Sequence, residues 1–101
     1  MSSFNEREKG LEAEYRHKEE AAFRIIVRRN RAFGMWAAAR LGLTGEAAET
    51  YAKTVVASDF EAPGDEDIIA KVRTDLMEKG ALGSEAELRA ALDRAGAEAS
   101  L

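Results

Sequence analysis

Cysteine is missing altogether from the 101 residues, which excludes a disulfide framework and thiolate metal sites. Histidine occurs once, as His17, so neither a His-rich zinc site nor a Ser-His or Cys-His pair can be assembled within one chain. No apolar run approaches the ~20 residues that span a bilayer, and direct membrane insertion is not expected. The start Met1-Ser2-Ser3-Phe4-Asn5-Glu6 lacks the basic and apolar regions of a signal peptide, so a cytoplasmic location is expected. Proline is limited to Pro63, which leaves long stretches open to helix.

Hydrophobic residues make up 46% and charged residues 34% of the chain, enough apolar material for one core and too much for wholesale disorder. The net charge of −4 is unevenly spread. Residues 1–40 hold nine Lys/Arg against six Glu, net +3, and residues 41–101 hold six against thirteen Asp/Glu, net −7. An acidic second half is poorly suited to lie along a polyanion, so a protein partner is expected and nucleic acid is not.

The hydrophobic pattern predicts four helices and no strand. The first runs from about Phe4 to Leu41, with Phe4, Leu11, Tyr15, Ala22, Ile26, Phe33 and Ala37 at spacings of seven and four on one face. Its character changes near residue 20. Before that point the large apolar side chains are a thin stripe on a charged rod; after it, Ala21-Ala22-Phe23, Ile25-Ile26-Val27, Phe33, Met35, Trp36 and Leu41 are expected to be buried over most of the circumference. Gly42 should cap this helix. Thr44 should cap the second, which turns Ala48, Tyr51, Ala52, Val55 and Val56 inward and ends near Asp59. After Glu61-Ala62-Pro63-Gly64, the residues Asp65, Glu66 and Asp67 put negative charge at the positive end of the third helix. Ile68, Ile69, Val72, Leu76 and Met77 form its apolar face, and Gly80 closes it. Ser84 and Glu87 make a capping box for the fourth, whose face is Leu88, Ala91, Leu92 and Ala95 and whose end falls near Gly96. The fold class is all-α: a four-helix bundle-like domain over residues 21–101, preceded by an extension of residues 1–20 that is helical or partly disordered.

No catalytic constellation emerges. The acidic run Asp59, Glu61, Asp65, Glu66, Asp67 lacks the alternation of a calcium loop, and helix capping with solubility explains it better. Gly80-Ala81-Leu82-Gly83-Ser84 lacks the lysine and preceding strand of a P-loop. Arg24, Arg28 and Arg31 share a helix side opposite the apolar stripe, with Arg29 beside them; a solvated face and a protein or phosphate contact both remain open there. Phe33 and Trp36 read as core, and His17 as a surface side chain on a charged helix. The chain is not expected to be an enzyme.

The opening residues stand apart. Gly10 inside so short and charged a helix costs ~1 kcal/mol relative to Ala, and such a helix is marginal in water. A stripe of Phe4, Leu11 and Tyr15 that cannot hold itself folded suits a segment that orders on a partner.

Phe4-Asn5-Glu6-Arg7-Glu8, Glu12-Ala13 and Tyr15, then Arg28-Arg29-Asn30-Arg31 and Gly34-Met35-Trp36-Ala37-Ala38, resemble the ζ-type inhibitor family of the bacterial F1FO-ATPase. The similarity continues through Leu41-Gly42, Thr44-Gly45, Tyr51-Ala52, Val55-Val56, Asp59-Phe60, Gly64-Asp65-Glu66-Asp67 and Ser84-Glu85-x-Glu87-Leu88. The resemblance implies a four-helix protein whose amino-terminal segment, here residues 1–20, enters a catalytic interface of the F1 head near the central shaft and blocks rotation and ATP hydrolysis. The matching positions are Phe4, Arg7, Leu11, Tyr15 and Arg16. It further implies a location peripheral to the inner membrane through F1, a monomer when free, and weak nucleotide binding without a required cofactor. Two other readings stay open: a helical adaptor working through the bundle surface, and a nucleotide-responsive sensor using Arg28, Arg29 or Arg31.

Overall fold

Without proline ahead of residue 63, a chain rich in Ala, Glu and Arg can propagate one helix a long way. The structure is a computed structural model; it describes the backbone of residues 2–59 and 65–101 and the side chains of residues 21–59 and 65–101. Helix α1 spans Ser2–Arg40, 39 residues, followed by α2 Gly45–Ser58, α3 Glu66–Glu78 and α4 Glu85–Ala99. The described residues hold these four helices and no strand, which bears out the all-α expectation.

The helix ends follow from local chemistry. At Gly42 the backbone takes φ +79°, at Gly80 φ +65°, the left-handed region where a Cβ is strained. Both build the same closing motif. Leu43 N–H donates to the Ala38 carbonyl (2.9 Å) and Gly42 N–H to that of Ala39 (3.1 Å); Ala81 and Gly80 do the same to Leu76 (2.8 Å) and Met77 (3.0 Å). Ser84 caps α4 as expected, its Oγ accepting from the Glu87 amide at 3.1 Å. Only half the capping box forms, however, because the Glu87 carboxylate pairs with Arg40 Nη2 at 2.9 Å. Thr44 holds the extended N-cap backbone without a side-chain hydrogen bond. Helix α4 runs past the expected stop at Gly96 to Ala99, itself buried.

Helix α1 is the central element, packed chiefly on α2 and α4. Among its described side chains the buried positions are Asn30, Phe33, Gly34, Ala37 and Ala38, the i, i+3, i+4, i+7, i+8 stripe of a helix on a core. Phe33 is fully buried with Val55, Ile68, Val72, Leu76 and Leu88. Each large side chain of this cluster contributes ~1.5–3 kcal/mol by leaving water. At Gly34 the backbones of α1 and α2 approach so closely that a Cβ would lie 2.8 Å from Ala52 Cα and 3.1 Å from its Cβ.

Two expectations about burial fail. Met77 is 61% exposed, at the margin of the α3 stripe. The stretch following residue 20 is not buried round its circumference: Ala21 and Ala22 are exposed, Phe23 is 49% and Ile26 39% exposed, and Ile25 and Val27 are half-buried. The reason is geometric. The fully buried stripe of α1 starts at Asn30, and the described apolar residues before it are half-buried or exposed.

Candidate partner-binding face

Three properties of α1 define the candidate site: where its apolar stripe points, where the body stops covering it, and what holds its root. Phe4, Leu11, Tyr15, Ile26 and Phe33 follow one another at spacings of seven, four, eleven and seven along one unbroken helix, which keeps them within one face at 3.6 residues per turn. At Phe33 the stripe enters the core; at Ile26 it is open to solvent. The side chains of Phe4, Arg7, Leu11, Tyr15 and Arg16, and that of His17, lie outside the described residues, while their backbone is helical. Beside Ile26, around the helix, Phe23, Arg24, Val27 and Arg28 line a shallow surface hollow of about 540 Å³, mixing an exposed aromatic with two guanidinium groups.

The basic block is divided among several tasks. Arg24 and Arg28 are exposed. Arg31 pairs with Glu49 of α2 at 3.6 Å, both side chains more than half exposed, a contact worth little in water. Arg28 and Arg31 also border a small groove with Ala32, Glu98 and Ala99 at the end of α4. Arg29 turns the other way: its Nη2 donates to Asp65 Oδ1 at 2.8 Å and its Nε to Asn30 Oδ1 at 3.0 Å. Asn30 is 1% exposed and donates through Nδ2 to Asp59 Oδ2 at 3.0 Å. Thus Asp59 and Asp65, read from the sequence as caps and solubilising charge, receive hydrogen bonds from α1. Asp65 makes no side-chain cap to α3, and Glu61 lies outside the described residues.

The far end of α1 is fixed by aromatic and ionic contacts. Phe33 and Trp36 stack at 5.8 Å between centroids, and the Arg40 guanidinium sits 4.8 Å over the Trp36 ring while pairing with Glu87. Both aromatics therefore serve packing, as expected from their neighbours. Across the body, Tyr51 donates to Asp75 Oδ2 at 2.8 Å and Lys71 Nζ donates to the same oxygen at 3.1 Å. Burial pushes the Tyr51 phenol above its usual range, and the hydrogen bond to Asp75 and that carboxylate's charge push it further. Arg73 and Arg89 both bond Glu85, and the hydrogen bond from Arg73 holds its carboxyl below the usual range. Of these pairs, Arg73–Glu85 ties α3 to α4.

Among the described residues, no group of three or more His, Cys, Asp or Glu could hold a metal ion. Nor is any helix among them long and apolar enough to cross a membrane. Fold and face together define a small all-helical protein whose longest helix carries apolar surface beyond the body that anchors it. The chain belongs to the ATPase inhibitor subunit zeta family, whose model matches residues 1–101. That membership bears out the resemblance carried by the Arg-Arg-Asn and Gly-Met-Trp-Ala-Ala blocks. A protein whose structure was solved in solution by NMR is similar at 42% identity and a TM-score of 0.70, over 77% of this chain and 88% of that one. No curated protein matches the sequence.

Proposed function

We infer that this protein inhibits the F1-ATPase by laying the amino-terminal part of α1 into a catalytic interface of the F1 head beside the central shaft. Membership of the ATPase inhibitor subunit zeta family supports the inhibitory activity. The observation that supports the finer reading is the solvent exposure of Ile26, 39%, on the apolar face that becomes core at Phe33. That face continues the stripe of Phe4, Leu11 and Tyr15 on the amino-terminal side of Asn30. An apolar helix face that runs on past the core suits a partner-binding surface.

The mechanism is differential binding. Rotary catalysis carries each interface through a sequence of open and closed forms. A helix that binds one form better than the next holds the cycle there, whereas a ligand indifferent between forms would halt nothing. Phe4, Leu11 and Tyr15 are the anchors, each contributing about 1.5–3 kcal/mol when fully desolvated. Arg7 and Arg16 orient the helix by pairing with acidic groups. Immobilising the segment's side chains in the interface offsets part of the gain. The protein acts as a plug and carries out no chemistry of its own.

The experiment is ATP turnover by F1 from the same source, titrated with the purified protein, a form lacking residues 1–20, Leu11→Asp and Arg24→Ala. Full-length protein inhibits, the truncated form does not, and Leu11→Asp is weakened more than Arg24→Ala. Inhibition surviving the truncation would transfer the activity to the bundle surface, and the opposite ranking of the two variants would move it to the basic side of α1.

A further inference from the structure

We propose that Asn30, with Arg29, is a positioning element that fixes the direction in which α1 leaves the body, and so aims the inhibitory segment. The proposal rests on the inhibitory reading above and adds a part to it that lies outside the binding stripe. Asn30 is the first buried side chain along the described part of α1, and the one buried polar side chain among the described residues. Before Asn30, back to residue 21, no described side chain is fully buried; from Asn30 onward one face of the helix enters the core. It therefore stands at the root of the projecting part.

Beside Phe33 and Val55, much of the apolar contact between α1 and α2 at this root is made by small side chains. Gly34, Ala37 and Ala38 of α1 and Ala48 and Ala52 of α2 are all buried and all small. Smooth surfaces of this kind permit close approach, yet they offer few interlocking side chains to oppose rolling or sliding of one helix on the other. Directional contacts supply what is missing. Asn30 Nδ2 bonds Asp59, the C-cap residue of α2, and Arg29 Nη2 bonds Asp65, the N-cap residue of α3. The Arg29 Nε to Asn30 Oδ1 bond joins the two arms. One short segment of α1 is thereby bonded to both ends of the α2–α3 connection. A roll of α1 would break the Asn30–Asp59 bond and leave the buried Asn30 amide short of a partner, which is how a single buried polar residue can specify register between helices.

The decisive pair is Asn30→Asp alone and Asn30→Asp combined with Asp59→Asn. The single change sets a carboxylate against Asp59; the double change restores a donor–acceptor pair with its direction reversed and keeps the acceptor for Arg29. Because the chain has no cysteine, nitroxide labels can be placed on Ala21→Cys and Lys53→Cys, both exposed positions, and the distance distribution measured by pulsed electron paramagnetic resonance. The parent protein should give one narrow distribution. Asn30→Asp should broaden or shift it and weaken F1 inhibition about tenfold, and the double variant should restore both. A narrow, unshifted distribution in Asn30→Asp, or a double variant that recovers neither readout, would overturn the proposal. Should Asn30→Asp not fold, Arg29→Ala carries the same readouts with the Asn30–Asp59 bond intact: broadening supports the proposal and an unchanged distribution overturns it. If the parent protein fails to inhibit F1, the functional reading falls, while the distance distributions still decide whether Asn30 aims the helix.

Discussion

Replacing Gly34 by alanine tests the packing on which the body depends. In an ordinary helix interior this change is favourable, since alanine gains roughly 0.5–1 kcal/mol over glycine. Here the new methyl would sit 2.8 Å from Ala52 Cα, 3.1 Å from Ala52 Cβ and 3.2 Å from Val55 Cβ. The nearest atom is backbone, so no side-chain rotation relieves the contact and α1 and α2 must move apart. Overpacking of this kind costs roughly 1–3 kcal/mol, here towards the upper part of that range. Set against the propensity gain, the net loss is about 1–2 kcal/mol, or a fall of roughly 4–16 °C in Tm for a domain of this size. Thermal and urea unfolding followed by circular dichroism read it directly. Gly10→Ala, in the same helix, should raise helical content through propensity. A Gly34→Ala protein as stable as its parent would refute the close approach of α1 to α2.

Two further changes probe a helix end and a buried phenol. Ser84→Ala removes the acceptor of the Glu87 amide and should lower stability by about 1 kcal/mol in urea titrations; no measurable loss would mean that solvent satisfies that amide equally well. Tyr51 should ionise above the ordinary phenol value of ~10, because burial and its bond to Asp75 both favour the neutral form. In a Tyr15→Phe protein the phenolate absorbance reports it alone, and an ordinary midpoint would contradict the burial of the ring. The sign for stability follows: a raised folded value means a contribution fully present below pH ~10 and lost as pH climbs beyond it. Tyr51→Phe should therefore lessen the alkaline decline in Tm.

Features governed by nearest neighbours were legible in the sequence. Gly42 and Gly80 close their helices because only glycine enters the left-handed region cheaply, and the apolar residues before each already mark a helix face. Ser84 lies three residues from an amide it can reach within its own turn. The faces of α3 and α4 follow from periodicity, with Met77 misread at the stripe's edge, where the pattern alone does not say how far cover extends.

What escaped depended on distant partners. Asn30 stands among Arg28, Arg29 and Arg31, a context that reads as solvated, and its partner Asp59 is 29 residues away. The signal available was an uncharged polar residue on the line that continues through Gly34 and Ala37, but a single side chain does not reveal whether that line is covered. Phe23 and Ile26 were misjudged for a related reason: periodicity shows that a face is apolar, not whose core it belongs to. Of the candidate interface, the stripe was readable and the exposure of Ile26 within it was not.

Because α1 is one continuous helix from Ser2 to Arg40, its two ends share a phase. One residue inserted between Ala21 and Arg29 would swing everything before it by about 100° around the axis and advance it ~1.5 Å. Seven would bring the stripe back to within ~20° of its heading but some 10 Å further out. The number of residues between root and tip thus acts as a screw setting, fixing both the bearing and the depth of the tip. Evolution could retune such a protein by changing that count while leaving every contacting side chain as it is.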